Sequence, residues 1–171
     1  MKTKRLCLMA LLTAIALTIF MVEAQLPALA PIPGMKLGLA NIVTVWALFT
    51  LGPGDAWMIL LARVFLGSIF SGQMMTLAYS LSGGVLCFAV TSGLRRIVTT
   101  KQIWVSSVFG AMAHNVGQLL AASVVMKTAV VWYYFPWLMV SGVITGAFTG
   151  LAAQFLYGHL SRLRILGRKH V

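Results

Sequence analysis

The sequence predicts an all-α integral membrane protein of six transmembrane helices, and three observations lead there. Of the 171 residues 60% are hydrophobic. Charged side chains make up 9%, far below the roughly 25% of a soluble domain. Apolar runs also recur at lengths that suit a bilayer core, which takes about 20 residues per helical pass. The chain has room for about six passes joined by short loops, so a single membrane domain over 1–171 is expected.

Lys2, Lys4 and Arg5 precede the first helix, expected over 6–23. Its apolar stretch Leu6–Val22 is longer than the roughly 7–15 residues of a signal-peptide core, so it is read as an uncleaved first span. Ala10 and Ala14, with Ala16 close by, give it the small-residue spacing that lets another helix approach closely. Pro27, Pro31 and Pro33 make 24–34 a stiff non-helical loop. The second helix is expected over 35–51, where Gly52-Pro53-Gly54 stops it. Asp55 is placed to N-cap the third helix, 56–70. The remaining helices are expected over 77–94, 102–126 and 135–158.

All of the 13 lysines and arginines except Lys36, Arg63 and Lys127 lie in the first residues, the 95–101 loop or the tail. Six passes put those three segments on one side, and the positive-inside rule makes that side the cytoplasm of a cell-membrane protein. Trp57 and Trp104 then fall near the inner interface and Trp132 and Trp137 near the outer one, as an aromatic belt requires. The net charge of +11 is accounted for by topology. A nucleic-acid partner is not expected, because such binding needs basic residues gathered on a water-exposed face.

Polar side chains within spans are costly and usually face a bundle interior or cavity. Lys36, Asn41, Arg63, Gln73, His114, Asn115 and Gln118 all fall toward the outer half. At about 1.5 Å rise per residue, Asn41 lies about 7 Å below the outer start of its helix, and 114–118 lie roughly 18–24 Å from the inner end of theirs. Together they are the candidate lining of an outward-opening, substrate-binding pocket. The bland alternative is that each only bonds a neighbouring helix. A mid-helix Arg63 costs at least about 2.5–3.5 kcal/mol on insertion scales and needs compensation. Glu23, by the same rise, lies roughly 14 Å nearer the surface, which leaves snorkelling or an anionic ligand. A negatively charged or carbonyl-rich substrate follows.

Several chemistries are excluded. No Walker-type phosphate loop is present, so energy from ATP would have to come from a partner. Glu23 and Asp55 are the only carboxylates and are assigned to opposite sides, so no paired acid–base site or acidic Mg²⁺ cluster is expected. His114, His159 and His170 lack metal spacing, and no cofactor is expected. Cys7 and Cys87 are read as small packing residues. Gly142, Gly146 and Gly150, and Ala113, Gly117 and Ala121, form small-residue ridges for close helix packing.

The run Pro33-Gly34-Met35-Lys36-Leu37-Gly38-Leu39-Ala40-Asn41-Ile42-Val43-Thr44, with Ala113-His114-Asn115-Val116-Gly117-Gln118 downstream, resembles the Gx transporter family over nearly the whole chain. Its members often carry the label heptaprenyl diphosphate synthase component I. That family is similar in turn to the substrate-binding S components of energy-coupling factor importers. The resemblance implies a six-helix S-component-like bundle that captures a small micronutrient or precursor at the outer face. It implies docking on a transmembrane coupling protein and two ATPase subunits, with Ala10 and Ala14 as the contact. The label implies a second expectation, a non-catalytic membrane subunit of a prenyl diphosphate synthase. An enzyme acting alone is not expected, since such synthases resemble one another in Asp-rich Mg²⁺ motifs and Asp55 is the chain's one aspartate.

Overall fold

The computed structural model describes residues 2–25, 36, 38–72 and 74–162. The described residues form six α-helices and two short 3-10 turns, with no strand among them. The helices are α1 (Lys2–Glu23), α2 (Asn41–Thr50), α3 (Pro53–Ser71), α4 (Met74–Leu94), α5 (Ile103–Met126) and α6 (Phe135–Arg162). The 3-10 turns, Thr100–Gln102 and Val130–Tyr134, introduce α5 and α6. All helices except α2 are long and apolar enough to cross a membrane, so the protein is a multi-pass membrane bundle.

Cross-helix contacts fix the topology. Arg5 at the start of α1 meets Asp55 at the start of α3. Trp57 packs on Phe88 near the end of α4, and Ser107 near the start of α5 bonds Thr149 midway along α6, which runs on past it toward the same end. The N-terminus, the 95–102 connection and the end of α6 therefore share one end of the bundle, called here the terminal end. Trp104 is exposed at that end, and Trp132 and Trp137 are exposed at the other.

Helices α4, α5 and α6 pack as a layer with α5 in the middle, and glycine makes the contact possible. A Cβ on Gly117 would lie 2.6 Å from the Ser82 carbonyl oxygen, and one on Gly150 would lie 2.5 Å from the Trp104 Cα. Gly142 and Gly146 meet Met112 and Val108 backbone in the same way. The predicted glycine ridge is thus the α5–α6 seam.

Helix α2 is the central rod, touching α1, α3, α4 and α6. Val43, Val45, Trp46, Ala47, Leu48 and Phe49 are all buried, and with Leu12, Ala16, Ala56, Ile59, Ile103 and Ala153 they form the main apolar core. Being buried on all sides explains why this short helix lacks a polar face.

Four expectations need correction. The second helix starts at Asn41, not 35. Gly38 has φ +83°, a left-handed conformation that ends helical propagation and costs a glycine little. The third helix starts at Pro53, because proline suits the first helical position, where its missing N–H is no loss. Gly52, at φ +103°, makes the reversal before it. The fourth helix starts at Met74, and the sixth runs to Arg162.

Asp55 is therefore inside the first turn of α3 and makes no cap bond. It receives two parallel bonds from Arg5, Nε to Oδ2 at 2.7 Å and Nη2 to Oδ1 at 2.6 Å. This clasp joins the start of α1 to α3. Arg5's side chain is 63% exposed, and solvent screening leaves such pairs weak. Arg5→Gln is expected to leave the thermal unfolding midpoint unchanged within error; a large drop would show that the clasp holds α1 in place.

The small residues of α1 also divide. Ala16 is fully buried, whereas Ala10 and Ala14 are exposed. Cys7 is exposed as well, so only Cys87, buried beside Thr91, is a packing residue of the bundle.

Candidate functional site

Because α2 is about 15 Å long, its N-terminus lies near mid-depth, at the level of Arg63 in α3 and His114 in α5. Residues 38–40 reach that depth as a non-helical turn. Such backbone is tolerated inside a membrane only where protein or a cavity surrounds it. A polar cluster surrounds this one.

The cluster is a chain of buried side chains from three helices. Arg63, 3% exposed, donates from Nη2 to the Asn41 carbonyl at 2.9 Å. The Asn41 amide nitrogen lies 3.3 Å from His114 Nδ1, and the Gln118 amide nitrogen lies 3.1 Å from His114 Nε2. The four-residue spacing of His114 and Gln118 puts them on one helix face, as expected. A neutral imidazole has one donor and one acceptor nitrogen, so it can accept from only one of the two amides.

Glycines let the backbone close on this chain. A Cβ on Gly38 would sit 3.0 Å from the Asn41 amide nitrogen and 3.1 Å from the His114 ring. On the opposite side, one on Gly83 would sit 2.7 Å from His114 Nδ1. The imidazole is held between α4 and the turn that opens α2.

Above this chain sit Glu23, Lys36 and Phe20. The Gly38 N–H donates to Glu23 Oε1 at 2.5 Å, and the Ala40 amide also faces that carboxyl. The free end of α2 thus meets a carboxyl group, where an acceptor is favoured. Lys36 Nζ stands 3.4 Å from the centroid of the Phe20 ring, a cation–π contact. Phe20 in turn rests where Gly67 leaves room.

Four polar atoms of this cluster are buried without a hydrogen-bond partner among the described residues: Glu23 Oε2, Lys36 Nζ, Arg63 Nε and Gln118 Oε1. Each such atom costs about 1–3 kcal/mol, and more when charged. Three more such atoms, on Thr44, Trp46 and Gln154, lie elsewhere among the described residues, so four of the seven gather in this one cluster, and each calls for an explanation.

The seven residues expected to line a pocket therefore divide. Lys36, Asn41, Arg63, His114 and Gln118 come together. Asn115 does not: its amide donates to the Leu138 carbonyl at 2.5 Å beside Gly142, pinning α5 to α6. Gln73 lies outside the described residues. Arg63 neither snorkels nor stands alone, because Asn41 accepts from it and Glu23 lies within electrostatic reach.

Glu23 was missed as a site residue. By helix rise Glu23 ends α1 near the surface, and the non-helical turn that brings Gly38 to its carboxyl has no local signature in the sequence. The usable signal was that it is the only acid on the side that holds Lys36 and Arg63. No group of three or more His, Cys, Asp or Glu among the described residues could hold a metal ion.

A family model described as heptaprenyl diphosphate synthase component I matches residues 12–156. The match takes in every residue of the cluster, and Ala14 but not Ala10. No curated protein and no solved structure matches the chain.

Proposed function

The chain belongs to the heptaprenyl diphosphate synthase component I family, and from that premise we propose that it is a non-catalytic, substrate-binding membrane component that captures a small polar molecule in the Arg63–Asn41–His114–Gln118 cluster. The observation that carries this reading is the set of four unpartnered buried polar atoms around one glycine turn. Helix-to-helix glue would pair its groups, as Asn115 does with Leu138. The positive-inside rule turns the terminal end to the cytoplasm of a cell membrane, so the cluster is reached from the outer face.

The second part of the proposal concerns energy. With no nucleotide-binding loop in the sequence, the component docks on a separate module, as the S components of energy-coupling factor importers do with a coupling protein and two ATPases. The exposed Ala10 and Ala14 on α1 offer that module a close helix approach. Ala14→Trp is expected to spare ligand binding and to abolish co-purification with the ATPase subunits and ATP-driven uptake. Undiminished uptake in that variant would remove the docking assignment.

The family's printed name supports a second reading, in which the chain is the membrane partner of a prenyl diphosphate synthase. Its two carboxylates, Glu23 and Asp55, lie apart, one on the α2 turn and one on Arg5, so the chain would contribute no Mg²⁺ site of its own. Stable association with a soluble synthase that raises its turnover would favour this reading. A ligand-dependent rise in unfolding temperature without any synthase favours the first.

A further inference from the structure

We infer that the cluster takes a small organic anion that also carries hydrogen-bond donors, such as a hydroxylated carboxylate, with Lys36 and Arg63 on its charged end and Glu23 and Gln118 on its donors. The inference rests on the cluster being the binding site proposed above and narrows what it binds.

Charge decides first. A guanidinium does not deprotonate in proteins, and the placement of Lys36 Nζ 3.4 Å over the Phe20 ring is one that favours an ammonium. Glu23 is the one acid within electrostatic reach of both. With all three groups ionised the cluster keeps one uncompensated positive charge near mid-depth, where an unpaired charge is most costly. A protonated Glu23 would leave two.

The unpartnered atoms decide the rest. Arg63 Nε and Lys36 Nζ are donors in want of an acceptor, while Glu23 Oε2 and Gln118 Oε1 are acceptors in want of a donor. Water would satisfy these bonds but would leave the charge. A halide would balance the charge but would leave both acceptors bare. An amine or other cation would meet Glu23 and be repelled by Arg63. A molecule with an anionic group at one end and hydroxyl or N–H groups elsewhere answers all four atoms and the charge together.

Lys36 is the residue on which to test this, because it lies outside the helices and donates no hydrogen bond among the described residues, so its loss does not threaten the fold. The full-length protein in lipid nanodiscs would be melted with probes matched in shape and differing in charge: 4-hydroxybenzoate, 4-hydroxybenzamide and 4-hydroxybenzylamine, and lactate with lactamide. In parallel, native mass spectrometry of the membrane-extracted protein would read the charge class of any retained molecule.

Carboxylates are expected to raise the midpoint more than their amides or amines, and the retained molecule is expected to be an acid. Lys36→Met should weaken carboxylate binding by about 10- to 100-fold, the worth of one charge-assisted bond, and Lys36→Arg should restore most of it. A neutral or cationic molecule that binds as well, is indifferent to Lys36→Met and is lost in Gln118→Leu would overturn the anion assignment while leaving the site in place. No retained molecule and no shift from any probe would overturn both.

Discussion

Gly117→Leu is expected to prevent folding of the bundle, or to leave a protein that cannot be purified as a single species. The position has no room for even one more carbon: a Cβ there would lie 2.6 Å from the Ser82 carbonyl oxygen and 2.8 Å from the Gly83 Cα. Both neighbours are backbone, so no rotamer change can relieve the overlap, and α4 and α5 must separate. Separation would also break the bond from Ser82 Oγ to the Gly117 carbonyl, 2.9 Å, and would release His114 from Gly83. Overpacking a core typically costs about 1–3 kcal/mol when side chains can adjust, and a rigid seam should exceed that. Gly117→Ala should already lower the melting midpoint. A Gly117→Leu protein that is monodisperse and melts with the wild type would refute the packing described for this seam.

The second large effect is expected at Asn41. In Asn41→Leu the Arg63 Nη2 loses its acceptor while the guanidinium stays 3% exposed. A buried charged donor left unpaired costs at least about 3 kcal/mol. The loss should largely vanish in the Asn41→Leu/Arg63→Met double variant, since no charge then remains to satisfy. Thermal or denaturant unfolding of the four proteins in a double-mutant cycle measures the coupling. Additive losses would mean that the 2.9 Å contact contributes nothing of its own. Asn41 variants are thus poor tools for ligand binding alone, whereas Lys36 variants separate binding from stability.

The sequence made the spans legible because hydrophobic length is a local property, and α5, expected over 102–126, runs from Ile103 to Met126. What it did not reveal depends on single residues whose local role has two readings. Pro53 was read as a breaker and is a helix start. Asp55 suits a cap in any local pattern, and only the fold brings Arg5 to it from 50 residues away. Gly38 sits among apolar residues that extend a helical pattern, and its positive φ becomes evident only when the turn has to fit between Glu23, Asn41 and His114. Of the candidate site, His114 and Gln118 were readable from their spacing. Glu23 was not, because its place depends on where α2 begins.

The half-length of α2 has an electrical consequence. The cluster near mid-depth has beneath it, toward the terminal end, a largely apolar plug of Val43, Thr44, Val45, Trp46, Ala47, Leu48 and Phe49, all buried. Apolar side chains packed this way exclude a file of water, and an ion in such a medium pays a large solvation penalty. The polar cluster is in this respect insulated on its terminal side, so charge held deep in the bundle is separated from that end by low-dielectric packing.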